Sequence, residues 1–438
     1  MVREVDITAS LYYSLTKSLP RSSAGVPAFE ARQSDWHRFW NGWFVRFALR
    51  EITAPLGFET RTSALQRSAE WAQAGATVVP ILRVALFLIG GAWVSVTTAL
   101  WQLHRLRGWI RRTLVSGLAV LGLLPAVATL YAYYPFALWT GETARDIATL
   151  ASWLVVCWTG LSLVSIGIAR WFRVTPLSAT TLVALGTVIA DTLIAGGYGV
   201  NRSLLSSGIL DGERIFGINQ WFWGYATAAS IMLPASWLES RGRTRLTGRE
   251  QVALGMAYGL LLTVCGLPML GATLDAIPPL VFALGWSILL FTGLAPQQLT
   301  ARYALLLSAG LLLASGVLIL GVVGLDSLQP WQQQVGWARK GWESLNWERA
   351  LLLLAAGIIL LLILGYAPSP LRLRLWEHAL TLKRALGVAI SAACISLLLG
   401  KYLAAVVIAV TCVMFVLEYV AGGREWGYAA IGNGAARQ

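Results

Sequence analysis

The densest set of reactive side chains lies in loop 200–220. Asn201, Arg202 and Ser203 open it; Ser206, Ser207 and Gly208 follow; Asp211, Glu213, Arg214, Phe216, Gly217 and Asn219 lead into Trp221 and Trp223. An arginine guanidinium is a planar fork that grips a phosphate or carboxylate with two parallel hydrogen bonds, so Arg202 and Arg214 could clamp an anion. Asp211 and Glu213 could serve as a base or as cation ligands. The glycines would let backbone close around a ligand. The alternative is a surface turn of solvated charges with a tryptophan anchor.

Three further carboxylates stand out. Asp191 sits in the apolar run Val-Ile-Ala-Asp-Thr-Leu-Ile. A charge at mid-span costs about 2.5–3.5 kcal/mol on insertion scales, so Asp191 either contacts a substrate or pairs with a cation. Arg83 is a suitable partner, unless it snorkels to the headgroups. Asp275 follows Gly266-Leu267-Pro268 and precedes Pro278-Pro279. Broken backbone of that kind at membrane depth needs protein or a wet cavity around it, so Asp275 marks either a cavity or a short external turn. Loop 135–146 carries Glu142, Arg145 and Asp146; either carboxylate could deprotonate the acceptor in a lipid-linked sugar transfer.

The sequence has no phosphate-binding Walker loop, dinucleotide fingerprint, HExxH or GxSxG. Its four cysteines all fall within apolar runs, and it has only three histidines. No metal site or cofactor is expected from that inventory. No basic stretch interleaves with aromatics, so no nucleic-acid role is expected either.

These groups sit on an unusual scaffold. Of the 438 residues, 57% are hydrophobic and only 13% charged, with a mean hydropathy of +0.64. Soluble domains carry about 25% charged residues. The chain reads as all-α, a polytopic transmembrane helical bundle. A hydrocarbon core needs about 20 apolar helical residues. Eleven runs qualify as candidate spans: 77–100, 113–134, 147–170, 176–199, 221–238, 252–272, 277–295, 303–324, 350–366, 385–400 and 402–420. Only Lys401 separates the last two, which form either a tight hairpin or one broken element. Residues 1–76 form an N-terminal amphipathic region, 77–420 the transmembrane domain and 421–438 a tail. Within the first, Trp36, Phe39, Trp40, Trp43, Phe44 and Phe47 mix with Arg38, Arg46 and Arg50, which suits an interfacial helix or a buried packing helix.

The formal net charge is +13, and its distribution orients the bundle. Loops 101–112, 239–251 and 367–384 are rich in arginine, as is the short turn at Arg170 and Arg173. Segments 135–146, 200–220, 273–276 and 325–349 are not. The positive-inside rule puts the first set and the C-terminus in the cytoplasm, and loops 135–146 and 200–220 outside. Anionic membrane lipids then neutralise the basic loops. Residues 1–76 come out external. Trp331, Trp337, Trp342 and Trp347 do not share one helical face and read as interface anchors.

Three segments together resemble a known pattern: "GILDGERIFGIN" ending at Asn219, "GLPMLGATLD" from Gly266 to Asp275, and "LDSLQPWQQQVGWARKGW" after the eighth span. They resemble the membrane half of an uncharacterised bacterial envelope-protein family, over roughly residues 60–350. That family carries a G-x-S-P-x-x-G-x-R-F/Y-x-G-I-G-N-E loop and then G-x-P-x-L-G-A-D. Gly212, Arg214, Phe216, Gly217, Ile218 and Asn219 match the loop. Gly266, Pro268, Leu270, Gly271 and Ala272 match the second motif. The final acidic residue of the loop is replaced by Gln220, and the later Asp is displaced to Asp275. Family members usually carry an exported alkaline-phosphatase-like domain before the spans, where this sequence has 76 residues. The resemblance therefore implies a membrane module whose exported partner is a separate polypeptide or was lost, and the hydrolase activity of that domain does not carry over to this chain.

The expectation is an integral protein of the bacterial inner membrane that handles an anionic, lipid-linked envelope precursor at the outer leaflet. Arg202 and Arg214 would hold the phosphate, Asp211 and Asn219 would shape the loop, and Asp191 and Asp275 would lie beneath. Three alternatives stay open: a polyprenyl-phosphate-dependent glycosyltransferase using Glu142 or Asp146, an ATP-independent transporter or flippase, and a structural subunit of a membrane complex.

Overall fold

The computed structural model describes residues 85, 88–97, 99–100, 108–134, 143–194, 197–201, 203–205, 218–266, 276–293, 301–323 and 379–422. Arg83, Glu142, Arg202, Asp211, Arg214 and Asp275 lie outside these, as do residues 1–76, loop 325–349, the run 350–366 and residues 423–438.

All regular structure among the described residues is helical. In chain order it comprises α1 (Leu88–Thr97), α2 (Gly108–Gly122), α3 (Leu124–Leu130), a single 3-10 turn (Tyr131–Tyr133), α4 (Thr143–Phe172), α5 (Pro176–Ile194) and α6 (Tyr198–Asn201). It continues with α7 (Gln220–Ser240), α8 (Gly248–Gly266), α9 (Ile277–Thr292), α10 (Ala301–Val323), α11 (Leu380–Leu398) and α12 (Tyr402–Gly422). Prolines open α3, α5 and α9, where the missing N–H would have had no helical partner anyway. Gly293 and Gly400 take left-handed backbone at the ends of α9 and α11 (φ 78° and 71°), the usual glycine stop. At Gly400 the stop turns the chain back so that α12 packs on α11. The two last runs are thus a hairpin.

Among the described residues four helical stretches are long and apolar enough to cross a membrane: Arg145–Phe172, Pro176–Ile194, Thr381–Leu398 and Tyr402–Val420. A fifth is added if Arg112–Gly122 and Leu124–Tyr133, bent by 44°, count as one. The apolar runs at 221–238, 252–272, 277–295 and 303–324 are helical where described. The helix covering the first of these, α7, is rich in Gly, Ala, Ser and Thr.

That composition has a packing reason. α7 is the central helix, set against α12, α11, α9 and α5, and buried residues run along it from Phe222 to Glu239. Lipid tails are as apolar as leucine, so helices associate in a membrane through close backbone approach, which small residues allow. A Cβ on Gly224 would sit 2.9 Å from the carbonyl oxygen of Ala404 and 3.0 Å from its Cα. Here α7 and α12 meet backbone to backbone.

With no water in the hydrocarbon, breaks in a helix must be repaired by neighbours. Pro234 has no N–H for the carbonyl of Ser230 one turn earlier. The hydroxyl of Tyr258 on α8 donates to that carbonyl instead. At the α2–α3 bend, Tyr225 Oη donates to the Gly122 carbonyl at 2.8 Å, and Trp158 Nε1 donates to the Val120 carbonyl at 2.8 Å. Neighbouring helices thus satisfy the backbone at both places.

The outside of the bundle is apolar. On α4, Val155, Val156, Leu163, Val164 and Ile166 are exposed, and only 11% of its apolar window is buried, against 67% for α12. Contiguous apolar surface on this scale is what a lipid-facing helix presents.

Candidate functional site

Asp191 lies near the C-terminal end of α5 and is buried. Both carboxylate oxygens are occupied. Oδ1 accepts the Tyr133 hydroxyl proton and the Gly199 N–H at 2.9 Å; Oδ2 accepts the Val200 N–H at 2.8 Å. The side chain thus caps the first turn of α6, supplying acceptors to N–H groups that no helix can satisfy by itself. Gly197 turns the chain with φ 76° and donates to the Asp191 carbonyl at 3.1 Å. Gly199 has no room for a side chain: a Cβ there would lie 2.6 Å from Asp191 Oδ1 and 2.7 Å from Thr129 Cγ2. Asp191 therefore acts on loop 200–220 as a clamp at its entry.

The exit of that loop is tied down as well. Asn219 caps α7, its side-chain oxygen accepting the Trp221 and Phe222 N–H groups at 3.1 and 3.3 Å. Its side-chain nitrogen donates to the Leu205 carbonyl at 3.4 Å. The Leu204 N–H in turn donates to the Ala128 carbonyl on α3 at 3.1 Å. Entry and exit are joined across Leu204 and Leu205.

Asp146 belongs to the same end of the bundle. It lies in the first turn of α4 and is buried. Its carbonyl accepts the Thr149 hydroxyl at 3.1 Å, and Thr149 Oγ1 accepts the Tyr134 hydroxyl at 2.9 Å. Tyr134 also meets Trp153 edge to face, with centroids 6.3 Å apart. The adjacent tyrosines 133 and 134 thus link the Asp191 clamp to the start of α4. Of the residues expected to act, Asp191, Asn219 and Asp146 are brought to one end. Arg202, Arg214, Asp211, Asp275 and Glu142 lie outside the described residues.

Two buried carboxylates escaped the sequence reading. Glu418 on α12 accepts the Thr175 hydroxyl at 2.8 Å and the Leu177 N–H at 2.7 Å, capping α5 from a neighbouring helix. Thr175, Ser178 and Ser236 continue the network. Glu239 on α7 accepts the Thr381 and Leu382 N–H groups at 2.8 and 3.3 Å, together with the Thr381 hydroxyl, capping α11. α11 has no side-chain cap of its own. Both caps lie at the opposite end of α5 and α7 from Asp191 and Asn219. The nineteen residues of α5 separate the ends by roughly 28 Å at 1.5 Å per residue. The signal was present in sequence, since Glu418 is a lone acid near the end of the last apolar run.

At that far end the α7–α8 turn is braced by Glu250. Its carboxylate accepts the Thr247 N–H at 2.7 Å, the acidic half of a capping box. It also takes Arg243 at 2.6 Å and the Trp237 indole at 3.2 Å. Partial desolvation opposes the charge, but these donors outweigh it and hold the carboxyl at about 2.

Among the described residues no group of three or more His, Cys, Asp or Glu side chains is arranged to hold a metal ion. Comparison of the chain with protein-family models, with curated proteins and with solved structures finds no match.

Proposed function

We propose that this chain is a multi-pass protein of the bacterial inner membrane, of about eleven spans, with its C-terminus in the cytoplasm. Its loops 135–146 and 200–220 bind an anionic, lipid-linked envelope precursor at the outer leaflet, with Arg202 and Arg214 on the phosphate. One observation supports this above the others: loop 200–220 is held at both ends by side-chain hydrogen bonds, from the buried Asp191 with Tyr133 at its entry and from Asn219 at its exit. A solvated surface turn needs no such foundation, whereas a loop that must hold a phosphate in a fixed geometry does. Asp191 and Asn219 are positioning residues in this reading. A separate exported protein is the partner suggested by the family resemblance.

The test uses the full chain in lipid nanodiscs and a short-chain polyprenyl phosphate as probe. Arg214→Ala should weaken binding at least tenfold with an unchanged melting profile; undiminished affinity refutes the site. The sugar-transferase reading keeps one point of support, in that Asp146 shares this end of the bundle. Because Asp146 is buried, that reading shifts the base to Glu142, and loss of product formation in a Glu142→Gln protein would favour it.

A further inference from the structure

The end of the bundle remote from Asp191 gathers three arginines from two neighbouring turns. The α4–α5 turn contributes Arg173; the α7–α8 turn contributes Arg241 and Arg243. The Arg241 guanidinium lies 3.4 Å from the centroid of the Trp237 ring and donates to the Phe172 carbonyl at 3.4 Å. That contact seats it beside Arg173. Arg241 feels the like charges of both Arg243 and Arg173, with Glu250 as the opposing carboxylate. Glu250 is already engaged by Arg243 at 2.6 Å. Arg241 therefore faces two like charges and one carboxylate that Arg243 already occupies, and Arg173 and Arg241 are exposed. Arg173 also holds φ at 52°, a left-handed backbone unusual for a residue with a side chain.

A second feature runs into this corner. α4 ends in Trp171 and Phe172, which are 84% and 52% exposed, and the exposed Leu163, Val164 and Ile166 precede them on the same helix. An apolar track leads along a membrane-length helix to an aromatic residue and then to exposed positive charge. That is the order of parts in a phospholipid: acyl chain, interface, phosphate.

We propose that this corner is a binding site for an anionic phospholipid, with the phosphate between Arg173 and Arg241 and the acyl chains along α4. Trp171 lies at headgroup level. The continuity of the apolar track with the arginines favours a lipid over a phosphorylated peptide, which would need no such track. The site is separate from loop 200–220 and stands or falls without it.

The test is native mass spectrometry of the full chain in mild detergent, titrated with phosphatidylglycerol or phosphatidylcholine. Phosphatidylglycerol should bind more tightly. An arginine near a membrane surface contributes about 1 kcal/mol, so Arg173→Gly and Arg241→Gln should each weaken phosphatidylglycerol about fivefold, and together about 25-fold. Arg173→Gly also relieves the left-handed backbone, so it removes charge without loosening the turn. Equal affinity for the two lipids, or full retention of phosphatidylglycerol by the double variant, overturns the proposal. So does displacement of the lipid by millimolar inorganic phosphate, which would mark a site for free anions. Tight lipid-independent capture of a phosphopeptide that competes with phosphatidylglycerol would do the same.

Discussion

Replacing Asp191 with alanine should loosen one end of the bundle by an amount that can be worked from its contacts. The carboxylate takes three donors: the Gly199 and Val200 N–H groups and the Tyr133 hydroxyl. A buried N–H left without an acceptor costs about 1–3 kcal/mol, and two such groups cost about 2–6 kcal/mol. Side-chain hydrogen bonds in membrane proteins average only about 0.6 kcal/mol, which pulls the expectation toward the lower part of that range, about 2–4 kcal/mol. Tyr133→Phe removes one donor, leaves the carboxylate with two, and should cost about 1 kcal/mol. In the Asp191→Ala background the bond to the carboxylate is already gone. Tyr133→Phe should then change stability by less than about 0.5 kcal/mol, a non-additivity that a double-mutant cycle measures. The assay is reversible unfolding in mixed micelles, with amide hydrogen exchange to locate the loosening at Gly199 and Val200. An Asp191→Ala protein as stable as the parent would refute the clamp. So would a Tyr133→Phe cost that is the same in both backgrounds.

Two further outcomes follow from the described contacts. Tyr258→Phe should destabilise by about 1 kcal/mol, but have almost no effect in a Pro234→Ala protein, because the restored alanine N–H then serves the Ser230 carbonyl; equal costs in both would refute the repair. Glu250 is held at about 2, below the ordinary glutamate value of about 4.3. A depressed carboxyl stabilises the folded state above its unfolded pKa and loses that contribution as pH falls through the folded one. The α7–α8 brace should therefore be complete above about pH 5 and fade between about 4.3 and about 2. Glu250→Gln should flatten that part of the pH–stability profile, and an unchanged profile would contradict the assignment.

Much of the fold was legible in the chain. Long apolar runs with glycine and proline at their ends are helical wherever described, because a backbone in hydrocarbon has to bond to itself. Asp191 could be singled out because a carboxylate in an apolar run is costly unless something satisfies it. What satisfies it could not be read the same way. The expectation was a substrate or Arg83; the observed partners are a tyrosine 58 residues away and two backbone N–H groups.

Glu239 and Glu418 passed unremarked for the same reason. Their partners lie 142 and 241 residues away, and no spacing rule links a glutamate on one helix to the open N-terminus of another. Asp146 looked in sequence like a loop acid outside the membrane, yet it is buried in the first turn of α4. The run 221–238 was one candidate span among eleven, and nothing local marked α7 as the helix the others pack around; its small residues make it so by letting Gly224 touch Ala404. Helicity and the membrane class follow from composition and local pattern, which each stretch of chain carries within itself. The roles of the buried carboxylates, and the centre of the bundle, follow only from which distant backbone groups packing leaves unsatisfied and brings within reach.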